Sequence, residues 1–209
     1  MDVIVGRAAL LIIDMQHDFL DDDAPIKCPE GRQIIPTIQQ LLTAAREAGV
    51  PVIFTQEMHR PNGIDFGREM DEPQPAHCVA GTHGVNIVPE LMPQPNDTIL
   101  PKPRYSAFVG TDFPYVLNGV GVGAGDTLII TGVNTDVCVH YTAIDAFQRD
   151  YRVRVVTDCV AGTNAEGHNA ALRAIKMLQV DGLVTHDQVL TAFASYTPQR
   201  LAARSVSER

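Results

Sequence analysis

A thiol, a carboxylate and an ammonium can together cleave an acyl bond, and this sequence sets one of each where an apolar run gives out. In Leu128-Ile-Ile-Thr-Gly-Val-Asn-Thr-Asp-Val-Cys-Val139 the apolar run ends at Thr131 and a turn carries Gly132. The pair Thr135-Asp136 suits a helix start, with Cys138 in the first turn. The partial positive charge and free N–H groups of a helix N-terminus favour thiolate over thiol and can hold a developing oxyanion. A thiol that attacks an acyl carbon also needs a proton acceptor and donors for the oxyanion. Asp14 follows the continuous apolar run Ala8-Ala-Leu-Leu-Ile-Ile13, and Lys102 stands just past the short stretch Thr98 to Leu100. Asp14 is the candidate base, Lys102 the candidate cation and Cys138 the candidate nucleophile. Taken singly, each has an ordinary reading as a cap, a solvated charge and a small buried hydrophobe. Their common position at strand ends is what joins them.

Cysteine–histidine pairs are common in catalysis, but His140 follows Cys138 by two residues, about 200° around a helix, and so faces away from the thiol. His17 and His168 have no supporting pattern. The run Gly119-Val-Gly-Val-Gly-Ala-Gly125 precedes the strand at Thr127, whereas a dinucleotide fingerprint follows a strand and opens a helix. It reads as a flexible connection.

These residues need a scaffold that gathers strand ends. Ala8 to Ile13 has the unbroken apolar character of a strand buried on both faces. Ile35, Ile38, Leu41, Leu42 and Ala45 recur at helical spacing until Gly49, and Val50 to Thr55 is the next strand, which makes a βαβ unit with a right-handed crossover. The alternation continues with a strand at 98–100, a helix at 113–117, a strand at 127–131 and the helix carrying Cys138 to about Asp150. A strand at 153–157, a helix opened by a capping box Thr163-Asn-Ala-Glu166, a strand at 182–185 and a helix at 188–194 complete it. This predicts an α/β fold: a doubly wound, mostly parallel six-stranded sheet with helices on both faces, a three-layer sandwich that binds ligands beyond the carboxyl ends of its strands. Residues 1–197 form one domain in this reading and 198–209 a polar tail. From Glu57 to Gly84 no period survives, and a loop this long is expected to be an active-site wall or lid.

The 209 residues carry a formal net charge of −9 and are 45% hydrophobic, a balance that fits one core and argues against nucleic acid or an anionic membrane as partner. The early apolar run is too short for a membrane span or a secretion signal, so a cytoplasmic chain is expected. There Cys28, Cys78, Cys138 and Cys159 are expected as thiols.

Four stretches stand out together: Ile12-Ile-Asp-Met-Gln-His-Asp-Phe19, His77-Cys-Val-Ala-Gly-Thr-His-Gly84, Lys102-Pro-Arg-Tyr-Ser-Ala-Phe108 and Gly132-Val-Asn-Thr-Asp-Val-Cys138. In this order they resemble the isochorismatase-like cysteine hydrolases, a group that includes nicotinamidases, N-carbamoylsarcosine amidase, biuret hydrolase and ureidoacrylate amidohydrolase, and the resemblance spans about residues 8 to 190. It implies an Asp-Lys-Cys triad at Asp14, Lys102 and Cys138 that works through an acyl-enzyme and releases ammonia or an amine. It also implies a cis peptide before Asn134, which turns the N–H groups of Asn134 and Cys138 toward the oxyanion, and assembly as a homodimer or homotetramer. The cysteine argues against isochorismatase chemistry itself, because cleaving a vinyl ether requires no thiol nucleophile.

Nicotinamidases resemble the chain at Gln56-Glu-Met-His-Arg60 and at His77, where they carry an Asp-x-His and a further His on a divalent metal. Glu57, His59 and His77 hold those positions, with Glu in place of Asp. Resemblance to the ureido and carbamoyl hydrolases implies that no cofactor is required, while resemblance to nicotinamidases leaves Zn, Fe or Mn open at that trio. Phe19, Tyr105 and Phe108 adjoin the motifs and, with Glu57 and His59, are candidate walls of a substrate pocket. Arg60, Arg68 and Arg104 are candidate ligands for a substrate carboxylate. The expected protein is a cysteine amidohydrolase for a small carboxamide, carbamoyl or ureido compound. The alternatives are a metal-containing nicotinamidase and a noncatalytic small-molecule binding module on the same fold.

Overall fold

The computed structural model describes residues 2–71 and 74–197, so the polar tail expected at 198–209 lies outside the described residues. Strands β1 Ala8–Ile13, β2 Val52–Glu57, β3 Thr98–Lys102, β4 Thr127–Val133, β5 Arg152–Ala161 and β6 Leu183–Val184 form one sheet in the order β3-β2-β1-β4-β5-β6. Every neighbouring pair is parallel, where the sequence led us to expect a mostly parallel sheet. The strand order reverses between β1 and β4, the point at which an open α/β sheet leaves a crevice for ligands.

β1 is fully buried because both of its faces are covered. Leu10 and Ile12 pack with Ile38 and Leu41 of helix α2 (Ile35–Glu47) and with Val189 and Phe193 of helix α6 (His186–Ser195). Leu11 and Ile13 face the opposite layer, built from α3 (Phe113–Gly119), α4 (His140–Phe147) and α5 (Ala165–Leu178). A short helix α1, His17–Leu20, follows β1 directly. No helix among the described residues is long and apolar enough to cross a membrane.

Two local expectations are corrected. The capping box does not form at Thr163. Asn164 caps α5, accepting from the Gly167 N–H at 2.8 Å, while Thr163 turns to Asp136. A capping box forms instead between Thr185 and Gln188, which starts α6 two residues earlier than the pattern suggested.

β1 and β4 approach so closely that a Cβ on Gly132 would stand 2.1 Å from the Ile13 carbonyl oxygen, and Gly132 has a φ of 104°. Both the space and the dihedral require glycine. Gly132→Ala is expected to lower stability by about 2 to 3 kcal/mol, read as a fall in the urea midpoint at constant slope. An unchanged midpoint would show that the two strands can separate at no cost.

Candidate active site

Because β1 and β4 are neighbours, the chain leaving β1 at Asp14 and the chain leaving β4 toward Cys138 emerge side by side at the carboxyl edge of the sheet. Lys102 is the last residue of β3, opposite Glu57 at the end of β2, and its stem reaches back toward β1. Its Nζ lies 2.7 Å from Asp14 Oδ2, 3.4 Å from Glu57 Oε2 and 3.4 Å from Cys138 Sγ, and it donates to the Arg104 carbonyl at 3.0 Å. The fold thus brings together the three groups that the sequence left far apart. Asp14 and Lys102 are fully buried and Cys138 nearly so.

Asp14 holds a left-handed backbone with φ 48°, an arrangement that costs a non-glycine residue roughly 1–2 kcal/mol. Thr55 secures it: the Asp14 N–H donates to Thr55 Oγ1 at 3.1 Å, and the hydroxyl donates to Asp14 Oδ1 at 2.6 Å, leaving Oδ2 for Lys102. Cys138 sits in a single π-helical turn, Thr135–Val139, that runs into α4. The Val133–Asn134 peptide bond is cis. Thr135 and Asp136 do not cap this turn. Asp136 accepts from the Thr163 N–H, and Thr135 Oγ1 meets His168 Nδ1 at 2.9 Å, which gives His168 a structural role.

The helix start favours the Cys138 thiolate, and its buried surroundings act the other way. Burial pushes the Cys138 thiol up, Lys102 opposes this, and Asp14 and Glu57 push it further, so it lies well above the ordinary thiol range. Burial likewise raises Asp14, with Lys102 acting against it. Burial opposes ionisation of Glu57, but Lys102, His59 and His77 outweigh it and hold this carboxyl well below the usual range. Burial works against the Lys102 charge, yet the carboxylates of Asp14 and Glu57 keep it well above the ordinary value.

Glu57 is shared between two clusters. Buried Gln16 fixes its backbone, accepting from the Glu57 N–H at 2.8 Å and donating to the carbonyls of Glu57 and Val85, each at 2.8 Å. Gln16 belongs to a motif quoted above but received no role from it. Its only signal was an amide beside an otherwise apolar strand. On the far side, Glu57 Oε1 lies 3.0 Å from His77 Nε2 and 3.4 Å from His59 Nε2. Glu69 joins them, 3.6 Å from His77 Nε2. Sequence reasoning missed Glu69, which lies in the stretch without periodicity.

One donor atom from each of Glu57, His59, Glu69 and His77 lies within 4.8 Å of all the others. Among the described residues His59 is buried with no well-formed hydrogen bond at either ring nitrogen, an orphan that a metal ion would satisfy. His77 Nδ1 bonds to the Pro75 carbonyl at 3.0 Å, which aims Nε2 into the group. Two imidazoles with carboxylates suit Zn, Fe or Mn, so these residues fit a divalent metal.

A cavity of about 420 Å³ opens over Cys138 and is walled by Phe19, Glu57, Glu69, Tyr105 and Asn134, with Lys27 also in its lining. Phe108 is not a wall, which corrects that expectation. It packs in the core against Phe113, with the Arg149 guanidinium 4.7 Å from its ring centroid. His59 also lies off the wall, behind Glu57 and stacked on Phe66. None of the three candidate arginines lines the cavity. Arg60 pairs with Asp65 and Arg68 with Asp71, while Arg104 donates to the carbonyls of Pro103 and Asp65.

The isochorismatase domain family model matches residues 8–188. A protein of Arabidopsis thaliana described as a probable inactive nicotinamidase is 33% identical over 187 residues, which cover 87% of this chain and 94% of that one. Among solved structures, an isochorismatase-like hydrolase of Alkaliphilus metalliredigens superposes with a TM-score of 0.81 at 35% identity, over 90% of this chain and 100% of that one. The pyrazinamidase of Pyrococcus horikoshii, solved in complex with zinc, gives a TM-score of 0.74 at 32% identity, over 86% and 99% of the two chains. The N-carbamoylsarcosine amidase of Thermoplasma acidophilum gives 0.74 at 25% identity, over 87% and 98%.

Proposed function

The chain belongs to the isochorismatase domain family, and from that premise we propose that it cleaves the C–N bond of a small carboxamide, carbamoyl or ureido compound with Cys138 as nucleophile. One observation carries the reading: a fully buried ammonium, Lys102, stands 2.7 Å from the Asp14 carboxylate and 3.4 Å from the Cys138 sulfur beneath a cavity of small-molecule size.

As Cys138 Sγ attacks the carbonyl carbon, its proton passes to Asp14. Of the two carboxylates at the sulfur, Asp14 is the one that burial holds closer to neutrality, and Glu57 the one held ionised. A group with that balance exchanges a proton more readily. Lys102 orients Asp14 and offsets the negative charge that develops on sulfur. The backbone N–H groups of Asn134 and Cys138 hold the oxyanion. Collapse breaks the C–N bond, Asp14 returns the proton to the leaving nitrogen, and ammonia or an amine departs. Water, deprotonated by Asp14, then attacks the thioester and frees the acid and the thiol. Phe19 and Tyr105 flank the substrate. Residues 1–197 as one hydrolase domain, assembled as a dimer or tetramer in the cytoplasm, complete the proposal.

The test is a panel of small amides, carbamoyl compounds and ureas assayed for ammonia. Turnover of at least one class supports the reading, and a folded protein inert toward all of them would replace it with the noncatalytic binding module.

A second reading, a metal-containing nicotinamidase, is favoured by the fit of Glu57, His59, Glu69 and His77 to a divalent ion and by the zinc in the Pyrococcus horikoshii relative. An ion held there would supply a Lewis acid at the cavity wall. It predicts zinc, iron or manganese by elemental analysis, with about one equivalent fewer in His59→Ala, together with turnover of nicotinamide. Full ammonia release by metal-free protein would favour the first reading.

A further inference from the structure

Beside the active-site cavity, and sharing Pro25 with its lining, a depression of about 370 Å³ is lined in part by His17, Asp21 and His83. We propose that these three side chains form a second, surface site for a zinc-class transition-metal ion, distinct from the buried group around Glu57. The set is two imidazoles and one carboxylate, each offering a donor atom within 4.8 Å of the other two. Asp21 Oδ2 lies 2.8 Å from His17 Nδ1 and 3.6 Å from His83 Nε2. Ligands at about 2.0–2.1 Å in a tetrahedron stand about 3.3 Å apart, so the observed separations bracket what a shared ion requires.

The neighbours hold this geometry. Arg32 Nη1 lies 3.3 Å from the other oxygen of Asp21, Oδ1, which leaves Oδ2 turned to both histidines. The two rings lie with their centroids 3.9 Å apart and their planes tilted by 37°. Their backbone segments are already tied together. The Asp18 N–H donates to the Gly84 carbonyl at 3.0 Å, the His17 N–H donates to the Asn86 carbonyl at 3.1 Å, and the Asp18 carboxylate accepts from the Cys78 N–H at 2.6 Å. A ligand set carried on segments already bound to each other loses little freedom when the ion arrives. His83 is largely exposed, which gives an ion an entry path and leaves a fourth position for water.

Occupation would clasp α1, which carries the cavity wall Phe19, to the segment that carries His77. The site is thus placed to stiffen one rim of the cavity without touching a substrate.

The experiment is zinc titration of the tag-free, metal-stripped full chain against a chromophoric chelator, with the histidine ring resonances followed by NMR. The wild type is expected to bind one more zinc per chain than His83→Ala, and His17 and His83 resonances should shift together. Asp21→Asn should weaken that site at least tenfold. His59→Ala, which disables the buried group, should keep it. Because His83 is exposed, its loss should leave the far-ultraviolet circular dichroism and the thermal midpoint of the metal-free protein unchanged. Equal zinc stoichiometry and affinity in wild type and His83→Ala would overturn the proposal, as would zinc-induced shifts that spare His17 and His83.

Discussion

Cys138→Ala is expected to retain the fold and to release ammonia from any good substrate at least about 10⁴-fold more slowly, since removing the nucleophile of a covalent mechanism leaves only binding and oxyanion stabilisation. The fold should survive because the sulfur lies next to the cavity, and truncating one such atom costs about 1 kcal/mol. Cys138→Ser should be nearly as inactive, as its hydroxyl is the poorer nucleophile. The protonation state also decides which chemical probe is informative. A reactive thiolate would be alkylated quickly at neutral pH, but burial and the neighbouring carboxylates push this thiol up, so slow alkylation does not mark an inert cysteine. Acid-quenched mass spectrometry during turnover is the better readout, with an acyl adduct on the Cys138 peptide as the expected result. Undiminished ammonia release by folded Cys138→Ala would sink the proposed mechanism.

Lys102→Met is expected to be the most damaging change to stability at the site. It removes the ammonium that lies against Asp14 and Glu57 and leaves two buried carboxylates facing each other, a loss of about 3–5 kcal/mol. The pH dependence gives a second signature. Without Lys102, burial acts on Asp14 unopposed by that charge and raises its folded pKa further above the unfolded value. A group raised in this way contributes stability below its unfolded pKa and loses it as pH rises through the folded one. The deficit of Lys102→Met should therefore shrink on acidification and be greatest at neutral pH. The double variant Asp14→Asn/Lys102→Met should regain much of the stability and none of the activity, which separates the structural role of the lysine from its role in catalysis. Urea melts across pH measure the first and ammonia release the second. A single variant as stable as wild type at neutral pH would mean that the two carboxylates do not depend on Lys102.

Much of the scaffold was legible because its signals are local. The unbroken apolar run of β1, the helical spacing of Ile35 to Ala45 and the alternation of strands with helices each follow from how a short segment must bury itself between layers. Boundaries read less well. Thr163 shows the cause: its hydroxyl could serve either the next helix or Asp136, and Asp136 comes from a turn 27 residues earlier. Phe108 was misjudged for a similar reason, since adjacency to Tyr105 in sequence says nothing about which side of the chain meets Phe113 and Arg149. Glu69 had no signal at all, because the segment from Glu57 to Gly84 has little regular structure and therefore no period to read.

By itself the sequence determined which reactive groups exist and that three of them lie at or just beyond the ends of apolar runs, since residue type and hydrophobic period are properties of the chain. Only the tertiary structure decided what those groups are. It made Glu57 a carboxylate shared between Lys102 and the two histidines, left His59 without a well-formed hydrogen bond among the described residues, and surrounded Cys138 with groups that push its thiol up. The physical reason is that protonation and ligand geometry depend on desolvation and on charges within a few ångströms. Those quantities arise only when β1, β2, β3 and β4 bring distant segments to one edge of the sheet.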